Sequence, residues 1–113
     1  MYAVIRKYNL NPGTVEGFIQ QVQKGLVPII SRVPGFKAYY LVDIGDNEVA
    51  VISMFETLAD AKASAQTTVN WVAEHTDLYF QGFSKPMAGL VRVQIDGAHL
   101  PLTSREELLQ GIF

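Results

Sequence analysis

Three side chains with complementary chemistry fall close together: Asn70, Trp71 and His75. An asparagine amide donates a hydrogen bond to an oxyanion, an indole lines an apolar cavity and donates its N–H, and an imidazole moves protons near neutral pH. His75 follows Trp71 by one helical turn, so a helix there places both on one face. These three are the candidate catalytic group. Tyr8, Tyr39 and Tyr40 are candidate ligand contacts, each offering an apolar ring with a polar tip. Tyr39 and Tyr40 are adjacent in a strand-like segment and therefore point to opposite faces, so one of them at most enters a given cavity. Arg6 and Arg92 sit within apolar strand-like runs, where a positive charge needs a carboxylate or a ligand anion. Asp43, Glu48 and Glu56 are the carboxylates available as structural partners. Arg92 is the one assigned to a ligand, orienting an acidic or phenolic group.

Composition limits what this group can be part of. The chain has 113 residues, 49% hydrophobic and 18% charged, which describes one globular domain. Nine Lys+Arg against eleven Asp+Glu give a net charge of -2 and no basic stripe, so no nucleic-acid partner is expected. There is no cysteine, which removes disulfides, thiolate metal sites and cysteine nucleophiles. The two histidines, His75 and His99, lie far apart, and no G-x-G-x-x-G cradle is present, so neither metal nor flavin nor haem is expected. No apolar run approaches the roughly 20 residues that span a bilayer, and strand-like Tyr2–Ile5 has no charged leader before it. The expectation is a soluble cytoplasmic protein without a membrane partner.

The elements that must position these residues can be read in order. Tyr2–Tyr8 is a strand, broken by Asn9-Leu10-Asn11-Pro12-Gly13. Thr14–Val33 carries apolar residues at three- and four-residue steps and reads as a helix, with a kink or break at Pro28, which has no N–H to donate. Pro34-Gly35 stops it. Phe36–Asp43 and Glu48–Glu56 are strands joined by a hairpin loop over Ile44–Asn47. Thr57 caps a helix that runs to His75, with Leu58, Ala61, Ala65, Thr68, Val69 and Val72 facing inward. Asp77–Phe83 is irregular, and Met87–Ile95 is the last strand. Thr103–Gln110 reads as a short helix.

This order, β-α-β-β-α-β, predicts an α+β ferredoxin-like fold over residues 1–95, with a four-stranded antiparallel sheet and both helices on one face. Residues 96–113 form an extension carrying the short extra C-terminal helix. The third strand puts Val49, Val51 and Phe55 on one side and Ala50, Ile52 and Met54 on the other. Both faces are thus apolar, yet two helices cover one, so an identical subunit is expected on the other.

Three blocks carry a family resemblance: Tyr2–Tyr8; Val27-Pro28-Ile29-Ile30 through Val33-Pro34-Gly35-Phe36 to Tyr39–Asp43; and Val51–Glu56 followed by Ala61, Ser64 and Trp71-Val72. Together they resemble the dimeric α/β-barrel proteins of the antibiotic-biosynthesis-monooxygenase-like group. The resemblance implies a homodimer with a pocket between the sheet and helices of each subunit. It also implies, for some members, oxidation of electron-rich aromatic compounds without metal or flavin. A small aromatic or enolisable ligand follows as the expected substrate, and a non-catalytic ligand-binding or scaffold dimer is the alternative. Asn9 at its strand end and the short Trp71-to-His75 spacing depart from the haem-degrading branch.

Overall fold

The computed structural model describes residues 1–76 and 79–95. Strand β1 (Tyr2–Leu10) alternates strictly, burying Val4, Arg6, Tyr8 and Leu10 while Ile5, Lys7 and Asn9 face away. After the Pro12-Gly13 turn comes a helical stretch in three pieces: α1 (Val15–Gln21), a π-helical turn (Val22–Leu26) and α2 (Val27–Ile30). The break expected at Pro28 therefore lies just before it. Pro28 cannot donate to the ladder, and the preceding turn widens to the π register while Pro28 starts the next segment. Phe18, Val22, Leu26 and Ile30 are still buried in sequence down one side.

Strands β2 (Phe36–Gly45) and β3 (Glu48–Phe55) form a hairpin whose loop is tighter than Ile44–Asn47. Only Asp46 and Asn47 turn, both at positive φ (56° and 62°), as a two-residue mirror-image turn requires. Helix α3 (Leu58–His75) starts where Thr57 accepts a hydrogen bond from the Asp60 backbone N–H at 3.1 Å. Its buried stripe is rotated from the expected one. Ala61, Ser64, Trp71 and Val72 face inward, whereas Leu58 and Val69 are exposed. Ser64 can be buried because its hydroxyl donates to the Ala61 carbonyl at 2.7 Å.

All strands join one antiparallel sheet in the order β2-β3-β1-β4, with β5 also on β1. The last strand is split. Strand β4 (Phe80–Phe83) pairs with Tyr8–Leu10, and β5 (Met87–Leu90) pairs with Tyr2–Ile5. Between them Ser84 bridges, its N–H donating to the Lys7 carbonyl and its hydroxyl accepting from the Lys7 N–H, both at 2.9 Å. Pro86 has no N–H and interrupts the ladder there. The pairing stops at Leu90 rather than Ile95. The predicted helix Thr103–Gln110 and the extension 96–113 lie outside the described residues. Both helical stretches pack on the face carrying Val4, Tyr8, Val49, Val51 and Phe55, and the core forms between them. The architecture is the ferredoxin-like one expected. No helix among the described residues is long and apolar enough to cross a membrane.

Candidate functional site

Beneath α3, the inner face of the sheet carries a polar group within an otherwise apolar wall. Antiparallel pairing sets Val4 opposite Ser53, Arg6 opposite Val51 and Tyr39 opposite Ser53, so β1, β3 and β2 bring Arg6, Ser53 and Tyr39 side by side. Tyr8 follows Arg6 on the same face of β1. Ser64, Ala65 and Thr68 of α3 close the space above them, leaving a void of about 10 Å³ beside the Arg6 guanidinium. Further along, Arg6 and Tyr8 also line a cavity of about 70 Å³ with Val69, Val72, Ala73 and Phe83. Val4, Ala65 and Val69 continue into an open groove of about 310 Å³ between α3 and Pro86 and Ala88. The three adjoin through shared wall residues, a cleft region between α3 and the broken edge strand whose two smaller voids are both lined by Arg6.

Arg6 is the electrostatic centre of this cleft. It is only 3% exposed. Its Nη1 donates to the Tyr8 hydroxyl oxygen at 3.1 Å. The Tyr8 ring is held between Phe18 and Phe83, with centroids 5.2 and 6.2 Å away. Burial raises the Tyr8 phenol above its usual pKa, with the Arg6 charge and hydrogen bond pulling the other way. The Tyr39 phenol is raised further, again by burial first, then by the proximity of Tyr8. Both therefore stay protonated at neutral pH and serve as hydrogen-bond donors rather than bases. The Ser64 and Thr68 hydroxyls donate to the carbonyls of Ala61 and Ser64 at 2.7 and 2.9 Å.

The residues expected at the site divide clearly. Tyr8 and Tyr39 line the cleft. Tyr40 points to the other sheet face and is 54% exposed. Arg92 is exposed beyond β5 and lines none of the three voids. Asn70 is on the outer side of α3, where its Oδ1 accepts from Gln66 Nε2 at 3.0 Å. Trp71 is buried, but against the π turn rather than the cleft: a Cβ added at Gly25 would lie 2.5 Å from its ring. His75 stacks on Trp71 at 4.7 Å, and its Nδ1 donates to the Trp71 carbonyl at 2.9 Å. The expected Asn70–Trp71–His75 group is thus not assembled at the cleft. The helix turns Trp71 toward the π turn and Asn70 toward solvent.

Sequence reasoning passed over Arg6 as a ligand contact and missed Ser53. The signal for Ser53 was present: it is a hydroxyl in the buried series Val49, Val51, Phe55. The carboxylates expected to neutralise Arg6 are engaged elsewhere. Glu48 faces Lys7 at 3.8 Å, Glu56 pairs with Lys37 at 2.8 Å, and Asp43 accepts from the Gly45 N–H at 3.0 Å. No group of three or more potential metal ligands occurs among the described residues.

The sequence profile of the antibiotic biosynthesis monooxygenase family matches residues 1–74. None of the curated proteins matches the chain. Among solved structures, a monooxygenase from Streptomyces coelicolor in complex with nanaomycin D superposes with a TM-score of 0.69 at 17% identity, covering 88% of this chain and 91% of that one. A protein of unknown function from Nitrosomonas europaea gives 0.66 at 15% identity over 85% and 94%. An uncharacterised NIPSNAP-like domain protein from Burkholderia xenovorans gives 0.59 at 19% identity over 80% and 84%. At these identities the likeness is one of fold.

Proposed function

The chain belongs to the antibiotic biosynthesis monooxygenase family, and from that membership we propose that it is a cofactor-independent monooxygenase acting on a compact aromatic or enolisable compound. The observation that carries this reading is the cleft itself. Its wall is mostly apolar, and its polar groups converge at one end, where Arg6, Tyr8 and Tyr39 meet. That is how a site orients a flat apolar body by one polar edge. The solved monooxygenase of the same fold holds nanaomycin D, which supports a small ring compound as the ligand class.

The chemistry asks little of the protein. A substrate CH₂ next to a carbonyl and an aromatic ring loses a proton to solvent water to give an enolate, and the peroxide anion formed later takes a proton back. The enolate passes an electron to dioxygen, and the two radicals combine as a peroxide. Loss of water then leaves a carbonyl, so that R–CH₂–R′ and O₂ become R–CO–R′ and H₂O. The cleft contributes an apolar wall from Val4, Ala65 and Val69. It also contributes fixed donors, the Tyr8 and Tyr39 hydroxyls and the Arg6 guanidinium, which favour the enolate oxygen. The same reading places a second copy of the chain on the outer sheet face, where Ile5, Tyr40, Val42 and Met87 are exposed.

The test is oxygen uptake by metal- and flavin-free protein with a panel of enolisable aromatic compounds under labelled dioxygen. One labelled atom should appear in the product and one in water. If the panel is bound but recovered unchanged, without oxygen uptake, the non-catalytic ligand-binding reading replaces this one.

A further inference from the structure

Two nitrogens of Arg6, Nε and Nη2, are buried with no hydrogen-bond partner among the described residues. They are not scattered. In a guanidinium the Nε–H and one Nη2–H lie parallel along a single edge, the edge that grips a carboxylate with two hydrogen bonds. The opposite side is already anchored, through Nη1 to Tyr8. We infer that the Nε–Nη2 edge of Arg6 is an anion-binding fork. It takes a planar monoanion with two neighbouring oxygens, a carboxylate or the anion of an enolic acid, with the apolar body of the ligand along Ala65 and Val69. This rests on the reading of the cleft as a substrate site, and it narrows the substrate to an acid.

Three observations support the fork. Arg6 lines both the small void beneath Ser64 and Thr68 and the larger one beside Phe83. Among the described residues no carboxylate neutralises it, because Asp43, Glu48 and Glu56 have other partners. A buried charge of this kind is stable only with an opposite charge or a set of acceptors, which a bound anion would supply. Ser64 and Thr68 already donate to backbone carbonyls, so of the groups lining the two inner voids Arg6 alone brings a positive charge to an incoming anion, with the Tyr8 and Tyr39 hydroxyls beside it. An acid held there keeps its charge, since the guanidinium favours the ionised form.

The experiment is calorimetric titration of the full chain at neutral pH with two acids and a neutral control. Benzoate presents the carboxylate. The anion of 2-hydroxy-1,4-naphthoquinone presents adjacent enolate and carbonyl oxygens. Benzyl alcohol presents neither. At least one anion should bind, and benzyl alcohol should bind about tenfold weaker or worse. Which anion binds tells the two sources apart. Arg6→Met should abolish binding, and the anion should raise the melting temperature of the wild type but not of this variant. Arg6→Lys keeps the charge and loses the fork, so it should bind about tenfold weaker or worse; it decides the matter if Arg6→Met does not fold. The inference is overturned if neither anion binds, or if the folded variants bind as the wild type does. Oxygen uptake with a further acid, phenylpyruvate, whose CH₂ lies between a ring and a carbonyl and which also carries a carboxylate, separates the two readings. Anion binding without uptake leaves the fork standing and removes the monooxygenase. Uptake at an unchanged rate in Arg6→Met does the reverse.

Discussion

The two buried phenols give the protein a pH dependence that follows from their surroundings. Tyr8 and Tyr39 both titrate above their ordinary 10.0, chiefly because burial disfavours the phenolate. The folded chain therefore keeps protons that the unfolded chain releases near pH 10. The associated stability is fully present below that pH and is lost as pH rises toward the folded values, at up to about 1.4 kcal/mol per pH unit for each group. The urea midpoint should hold steady to about pH 9 and fall above about pH 10. Tyr39→Phe should flatten that fall, and an equally steep fall in the variant would contradict the burial argument. A second expectation concerns Asn70 and His75, which face solvent and the π turn. Asn70→Ala and His75→Ala should bind and turn over ligand within about twofold of wild type, because neither side chain lines the cleft; a loss beyond tenfold in either would reinstate it at the site. At this scale the site was only half legible. Tyr8, Tyr39 and Tyr40 could be picked out by type, and parity allowed only one of the adjacent pair inward without saying which. Arg6 could have been placed: it shares parity with Val4, Tyr8 and Leu10, opposite Lys7 and Asn9, and that alternation marks the inner face.

Elements were read more successfully than side-chain directions, since turn residues and caps act locally. Thr57, Pro34-Gly35 and the Asp46-Asn47 turn all mark the boundaries their chemistry implies. What escaped detection depends on tertiary contact. The π turn exists where Gly25 allows Trp71 of α3 to approach, a contact between segments far apart in sequence. Likewise, Asp77–Phe83 looks irregular alone, and its last residues become β4 only because β1 extends to Leu10 and offers an edge. Gly25→Ala tests the first case. Alanine is the better helix former by about 1 kcal/mol, but its Cβ would strike a rigid, buried indole, and overpacking of that kind costs about 1–3 kcal/mol. The variant should melt lower than the wild type and show altered Trp71 fluorescence. A higher melting temperature with unchanged emission would mean that the indole is not held against the turn.

The whole molecule leaves one sheet face without a layer among the described residues, and we propose that a second copy covers it. Ile5 pairs with Ile52 and Met87, Tyr40 with Ile52, and Val42 with Ala50, so the apolar side chains run across β2, β3, β1 and β5. Light scattering at micromolar concentration should report twice the chain mass, and Ile52→Glu should shift it toward the monomer. An unchanged mass in that variant would place the contact elsewhere. The ferredoxin-like order, with both helical stretches on one side, was evident from the alternation of elements, whereas the cleft depends on how α3 is rotated over the sheet. That cleft is the core of the account, and Ala65, which lines both its inner void and its outer groove, is the place to test it. The direct measurement is incorporation of labelled dioxygen into an enolisable aromatic acid by the wild type and by Ala65→Phe, whose ring would obstruct the cleft. The account predicts one labelled oxygen per product molecule for the wild type and loss of at least about tenfold in the folded variant; equal turnover by the two proteins would contradict it.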